Sequence, residues 1–162
     1  MQIKEMLYVS ADAFFDQLAK EVAYDVTVST NRKMRPKQVV KGLTYTKRLK
    51  SKMGSKGDVK VTIMDFQRPT IYRAKFEGPT GTNYLTYEVE LMDDEEKIGV
   101  TYTEDFQGKS QTKKWNYTFM MLFYNRRSKK KAKHLLRSME TYIQKEVQGK
   151  QVNEEMMIKE EQ

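Results

Sequence analysis

The sequence predicts an α+β domain in which an antiparallel sheet of about six strands wraps around a long C-terminal helix, with a short N-terminal helical pair. Three observations carry this. Residues 43–106 fall into short stretches that alternate apolar and polar residues, separated by turn residues. Between Lys109 and Gly149 there is neither Pro nor Gly, and good helix formers dominate. The first 42 residues hold one strand-like and two helix-like segments.

The chain has 162 residues, which suits one domain with a real core, placed at residues 1–148 and followed by a polar, mobile tail at 149–162. The net charge is +8, so polyanions stay in play as partners. Cysteine is absent, which excludes disulfides, thiolate catalysis and Cys-ligated metal, and fits a reducing compartment. No run approaches the ~20 apolar residues of a membrane span. The expected setting is cytoplasmic.

Gln2 to Val9 reads as a strand whose inward face is open: Ile3, Leu7 and Val9 share one parity with Glu5, and Met6 and Tyr8 share the other. Ser10 is a natural N-cap, with Asp12 in the first helical turn. Phe14, Phe15, Leu18 and Val22 form the helix's apolar face. The β-branched run from Tyr24 to Ser29 predicts fraying there. Pro36 starts a second short helix that Gly42 ends.

In the meander, Leu43, Tyr45 and Leu49 alternate with polar residues, then Val59, Val61 and Ile63, then Tyr72, Ala74 and Phe76, then Leu85, Tyr87, Val89 and Leu91, then Ile98, Val100, Tyr102 and Phe106. Such alternation means one wet face and one covered face. The turn from Met53 to Asp58 lacks the Gly-Lys-Ser/Thr ending of a phosphate-binding loop. The acidic turn Asp93 to Glu96 lacks calcium-loop spacing and reads as a solvated turn.

The C-terminal helix is expected over residues 110–147, capped by Ser110 and stopped by Gly149. Tyr117, Met121, Tyr124, Ser128, Ala132, Leu135, Met139 and Tyr142 or Ile143 form one stripe, expected to cover the sheet. At ~1.5 Å per residue the helix spans roughly 55 Å, enough to cross the sheet. Trp115, Phe119, Leu122 and Phe123 make a second apolar side in its first half. That side is either covered by the same chain or serves as a lid or a homodimer contact. Arg126, Arg127, Lys129, Lys130, Lys131, Lys133 and Arg137 mostly avoid the stripe and read as a solvated face, with polyanion binding as the alternative.

The order of elements over residues 1–147, with the opening Val9-Ser10-Ala11-Asp12-Ala13-Phe14-Phe15-Asp16-Gln17-Leu18, resembles the START-like superfamily. This is the helix-grip fold of the birch-pollen allergen type, polyketide cyclases and lipid-transfer domains. More closely, the strand opening from Gly42 to Lys47 and the run from Tyr102 to Phe106 make the chain similar to a family of uncharacterised Firmicutes proteins carrying a domain of unknown function. The resemblance implies a ligand-sized cavity between sheet and helix, and no particular activity.

The sole histidine, His134, sits among lysines, so neither a metal site nor a histidine relay is expected, and no cofactor. Glu104 and Asp65 share the parity of inward-facing residues, so each is a polar handle in a cavity or a rim residue. The expected function is binding of a small apolar or amphipathic molecule, with Tyr45, Ile63, Phe76, Tyr87, Tyr102, Glu104, Met121 and Tyr124 as lining. The small Ser128 between bulkier stripe residues leaves space there. No catalytic residue is assigned. The alternatives are a polyanion-binding or oligomeric interaction protein, with Trp115, Phe119 and Phe123 as a homodimer contact, and a cyclase- or hydratase-type enzyme using Glu104 or Asp65.

Overall fold

The computed structural model describes the backbone of residues 1–50, 56–79, 81–108 and 114–160, and the side chains within 1–48, 57–79, 81–108 and 128–159. In chain order the elements are β1 (Gln2–Leu7), α1 (Ala11–Thr30), a 3-10 turn (Pro36–Gln38), β2 (Thr44–Lys50), β3 (Lys56–Gln67), β4 (Ile71–Glu77), β5 (Gly81–Leu91), β6 (Ile98–Gly108) and α2 (Lys114–Glu160). The strands form one antiparallel six-stranded sheet in the order β1-β6-β5-β4-β3-β2. This is the expected fold: meander, N-terminal helical pair and long C-terminal helix.

Local chemistry explains α1. The Ser10 hydroxyl accepts from the Ala13 amide at 3.2 Å, which caps the helix. The helix does not fray at its β-branched stretch, contrary to expectation. Val22, Ala23 and Val26 are buried there, and the Thr27 and Thr30 hydroxyls donate back to the Ala23 and Val26 carbonyls. Packing overrides intrinsic propensity. Asn31 ends the helix in the left-handed region at φ 56°.

β1 turns its odd-numbered residues inward, with Leu7 and Val9 buried. Glu5 goes with them, and its side chain is only 12% exposed. It is satisfied by two cations of α2, Lys133 at 3.1 Å and Arg137 at 2.7 Å. The neighbouring Glu140 accepts from the Tyr8 amide and from Arg137, and Arg137 also donates to the Met6 carbonyl. α2 is thereby stitched to the edge strand while packing on α1, where Lys20 pairs with Glu146.

The buried stripe of α2 is Ala132, Leu136, Met139 and Ile143. This corrects one expected core residue, since Leu135 is 43% exposed, and of the alternatives Tyr142 and Ile143 it is Ile143 that is buried. The observed spacing of 4, 3, 4 and the expected spacing of 3, 4 and 3 or 4 each fit one side of a helix. The ion pairs to Glu5 bring the side of Lys133 and Arg137 to β1, and that rotation turns Leu136 inward. Met139 is buried as expected. Gly149 does not stop the helix, which continues to Glu160; the expected caps and stripe residues Ser110, Tyr117, Met121 and Tyr124, and the second side of Trp115, Phe119, Leu122 and Phe123, lie outside the described side chains.

Asp65 also departs from expectation. The β3–β4 register shifts between Ile63 and Asp65, so that Ile63 pairs with Ala74 but Asp65 with Arg73. A bulge of one residue flips the side-chain parity. Phe66 becomes the inward residue, its ring packed edge-on against Phe15 and Tyr72. Asp65 turns outward, where it accepts from Gln67.

Candidate functional site

The inward face of the sheet divides into two ends. At one end, Phe66, Tyr72, Tyr87 and Tyr102 stand opposite one another across β3, β4, β5 and β6. Successive ring centroids lie 5.9, 5.9 and 5.3 Å apart. α1 closes over this row, with Phe14 against Tyr87 and Phe15 against Phe66. The row is a solid aromatic core.

Burial pushes the Tyr72 phenol well up from its ordinary value, helped by the negative charges of Glu21 and Asp25. Tyr87 is pushed up chiefly by burial, with Tyr102 beside it. Tyr45 is raised by burial and by donating its proton to Asp25. All three stay protonated at neutral pH. They supply hydroxyl dipoles and no phenolate base.

The next two rows leave space. One row runs Ile63, Ala74, Leu85, Glu104 and the other Val61, Phe76, Asn83, Phe106. Here a recess of about 400 Å³ is bounded by apolar Val59, Phe76, Pro79, Leu85 and Phe106 and by polar Lys47, Asn83, Tyr102 and Glu104. Gly81 sits at its edge because a Cβ there would lie 2.4 Å from the Gln107 carbonyl.

Three of the polar groups, Asn83, Tyr102 and Glu104, form a connected set. Glu104 accepts from the Asn83 amide at 2.7 Å and from the Tyr102 hydroxyl at 3.4 Å. Its backbone is tied to Met1, whose ammonium donates to the Glu104 carbonyl at 2.6 Å. The Asn83 Oδ1 is buried and has no hydrogen-bond partner among the described residues, an unmet acceptor in a partly apolar setting. The Lys47 ammonium pairs with Asp25 at 2.9 Å and lies 5.5 Å from the Phe76 ring centre. Chemically, such a wall can bury an apolar body and hydrogen-bond one polar end.

Among the residues expected as lining, Phe76, Tyr102 and Glu104 come together on this recess. Tyr45, Ile63 and Tyr87 are buried in the core packing. Met121 and Tyr124 lie outside the described side chains, and Ser128 is half-buried on α2. Sequence reasoning missed Lys47 and Asn83. Lys47 shares the inward parity of Tyr45 and Leu49 and pairs with Val59, but a lysine there interrupts the apolar alternation, and Asn83 precedes the alternation recognised in β5. Asn83 does share parity with Leu85 and Tyr87, and that was the available signal.

His134 is exposed on α2. Among the described residues no group of three or more His, Cys, Asp or Glu is placed to hold a metal ion, and none of their helices is long and apolar enough to cross a membrane. In the acidic turn, Asp94 accepts from the Glu96 amide and pairs with Lys97 at 2.9 Å, so its carboxylate serves the turn itself.

The fold is shared with solved structures at low identity. The structure titled Ara h 8.0201 matches with a TM-score of 0.58 and 10% identity over 90% of this chain and 97% of that one. A protein of unknown function, SA2116 from Staphylococcus aureus, matches at 0.60 and 10%, covering 91% and 94%. A START superfamily protein from Mycobacterium smegmatis matches at 0.53 and 9%, covering 90% and 97%. These likenesses establish the START-like helix-grip fold. No curated protein matches the chain significantly. Residues 1–125 match the family described as Domain of unknown function (DUF3284), spanning the whole sheet and the beginning of α2, and the chain therefore belongs to that family.

Proposed function

We propose that the protein binds a small amphipathic molecule in the recess beside Glu104. The observation that carries this is the recess itself: about 400 Å³ with an apolar wall of Val59, Phe76, Leu85 and Phe106, a polar patch of Asn83, Tyr102 and Glu104, and Lys47 on β2. Its size falls within the range of small-molecule pockets. The buried Asn83 Oδ1, without a partner among the described residues, supports a ligand whose polar end donates a hydrogen bond. The likeness in fold to a START superfamily protein supports ligand binding as the class.

Two other readings have less behind them. Polyanion binding through α2 loses two of its seven basic residues, because Lys133 and Arg137 are engaged with Glu5. Acid–base catalysis by Asp65 loses its geometry to the bulge, and Glu104 is held by an amide and a phenol, with no second carboxylate or histidine bonded to it among the described residues.

The test is the binding of a fluorescent apolar probe. The wild type should enhance its emission saturably. Leu85→Trp, which fills the recess, should abolish that enhancement while the circular dichroism stays unchanged, and Glu104→Gln should weaken it without removing it. A wild type that binds no probe, or a Leu85→Trp variant that binds as the wild type does, would overturn the reading.

A further inference from the structure

Two carboxylates stand on the inward face of the sheet, Glu5 of β1 and Glu104 of β6, and their surroundings differ. Glu5 meets two cations, Lys133 at 3.1 Å and Arg137 at 2.7 Å. Asp25, which faces the sheet from α1, meets Lys47 at 2.9 Å and accepts from the Tyr45 hydroxyl. Glu104 meets no Lys or Arg among the described residues. Its partners are the neutral Asn83 amide and Tyr102 hydroxyl. The Met1 ammonium donates to its backbone carbonyl, not to its carboxylate. Cations are not scarce in this chain, with 30 Lys and Arg against 22 Asp and Glu. A half-buried carboxylate held only by neutral donors keeps its attraction for a cation, and an apolar wall strengthens that attraction.

Asn83 adds a second acceptor. Its amide nitrogen faces Glu104 at 2.7 Å, since the reverse orientation would set oxygen against carboxylate oxygen. Its Oδ1 is thereby turned away from Glu104, buried and without a partner among the described residues. Glu104 and Asn83 border the same recess. Tyr102 directs its proton to Glu104. This side of the recess therefore offers a negative charge and a neutral acceptor side by side.

That pair selects the ligand's polar end. An ammonium brings a positive charge and several N–H donors, enough for both acceptors. A hydroxyl brings one hydrogen and no charge. A carboxylate brings no hydrogen and is repelled by Glu104. Lys47 is the group an anionic end would seek, but its ammonium is engaged by Asp25 and lies 5.5 Å from the Phe76 ring centre.

We propose that the recess takes a small amphipathic amine, whose ammonium pairs with Glu104 and donates to the Asn83 Oδ1 while its apolar body lies against Phe76, Leu85 and Phe106. This rests on the binding reading above and adds the charge of the ligand's polar end.

The experiment compares octylammonium, octanol and octanoate at neutral pH as displacers of the fluorescent apolar probe. The three share one alkyl chain and differ in the end group. Octylammonium should displace the probe at a concentration about tenfold lower than either of the others. The net charge of +8 draws anions to the protein, so a preference for the amine reads the site and not the surface. In Glu104→Gln, with its fold checked by circular dichroism, the ratio of amine to alcohol concentrations should approach one. Octanoate or octanol displacing as well as the amine, no displacement by any of the three, or a ratio unchanged in Glu104→Gln would each overturn the proposal. The wild-type ranking decides without the variant. Saturable probe binding with no amine preference sinks this proposal alone, whereas absence of probe binding sinks the binding reading with it.

Discussion

The Arg137 guanidinium donates to the Glu5 carboxylate at 2.7 Å, and this contact sets how α2 lies on the sheet. Glu5 points inward from an edge strand, where an unpaired carboxylate would be costly. Lys133 and Arg137 lie one turn apart on α2 and both reach it. With that side of the helix fixed to β1, Leu136 faces the core and Leu135 faces out.

The rotation predicts opposite outcomes for adjacent leucines. Leu136→Ala should cost roughly 2–5 kcal/mol, as truncations of fully buried Leu do. Leu135→Ala should cost less than about 1 kcal/mol. Urea midpoints of the two variants distinguish them.

The ion pairs themselves are partly solvated, which limits their worth. Glu5→Gln keeps the shape and removes the charge, and should cost about 1–2 kcal/mol. The loss should shrink in high salt, where screening already weakens the wild-type pairs.

These two residues also show how far the sequence could be read. Alternation from Leu43 to Phe106 made the meander and its inward residues legible, and helix propensity made the long α2 legible. Rotation of α2 was not legible, because spacings of 4 and 3 admit Leu135 or Leu136, and only Glu5 on a distant strand decides. The bulge at Met64 was likewise hidden: it shows as a register shift against β4, and nothing in Ile63-Met64-Asp65-Phe66 breaks the local pattern. At the candidate site, Phe76, Tyr102 and Glu104 could be placed by parity, and Lys47 shares the inward parity of Tyr45 and Leu49, but nothing local shows what balances its charge. Its partner Asp25 lies on α1, beyond the reach of any local pattern.

The bulge gives a third prediction. Asp65→Ala should leave stability within about 0.5 kcal/mol of the wild type, since the carboxylate faces outward and accepts from the exposed Gln67. It should also leave probe binding unchanged. A large loss in either measurement would place Asp65 inside.

Alkaline pH should destabilise the fold through its tyrosines. An unfolded tyrosine loses its proton near its ordinary value of 10.0, while Tyr72 and Tyr87 hold theirs to higher pH in the native state. Above that value the native chain therefore binds more protons than the unfolded one, and stability falls as pH rises. Below it the contribution is fully present. Urea midpoints at about pH 8 and about pH 11 should differ for the wild type, and Tyr87→Phe should narrow the difference.

The recess beside Glu104 is the centre of the functional account, and native mass spectrometry of the protein purified from its own host tests it most directly. The account predicts a retained small molecule on the wild type, displaced by an apolar probe and missing from Leu85→Trp. A wild-type spectrum that shows only the bare chain, unchanged when the probe is added, would contradict it.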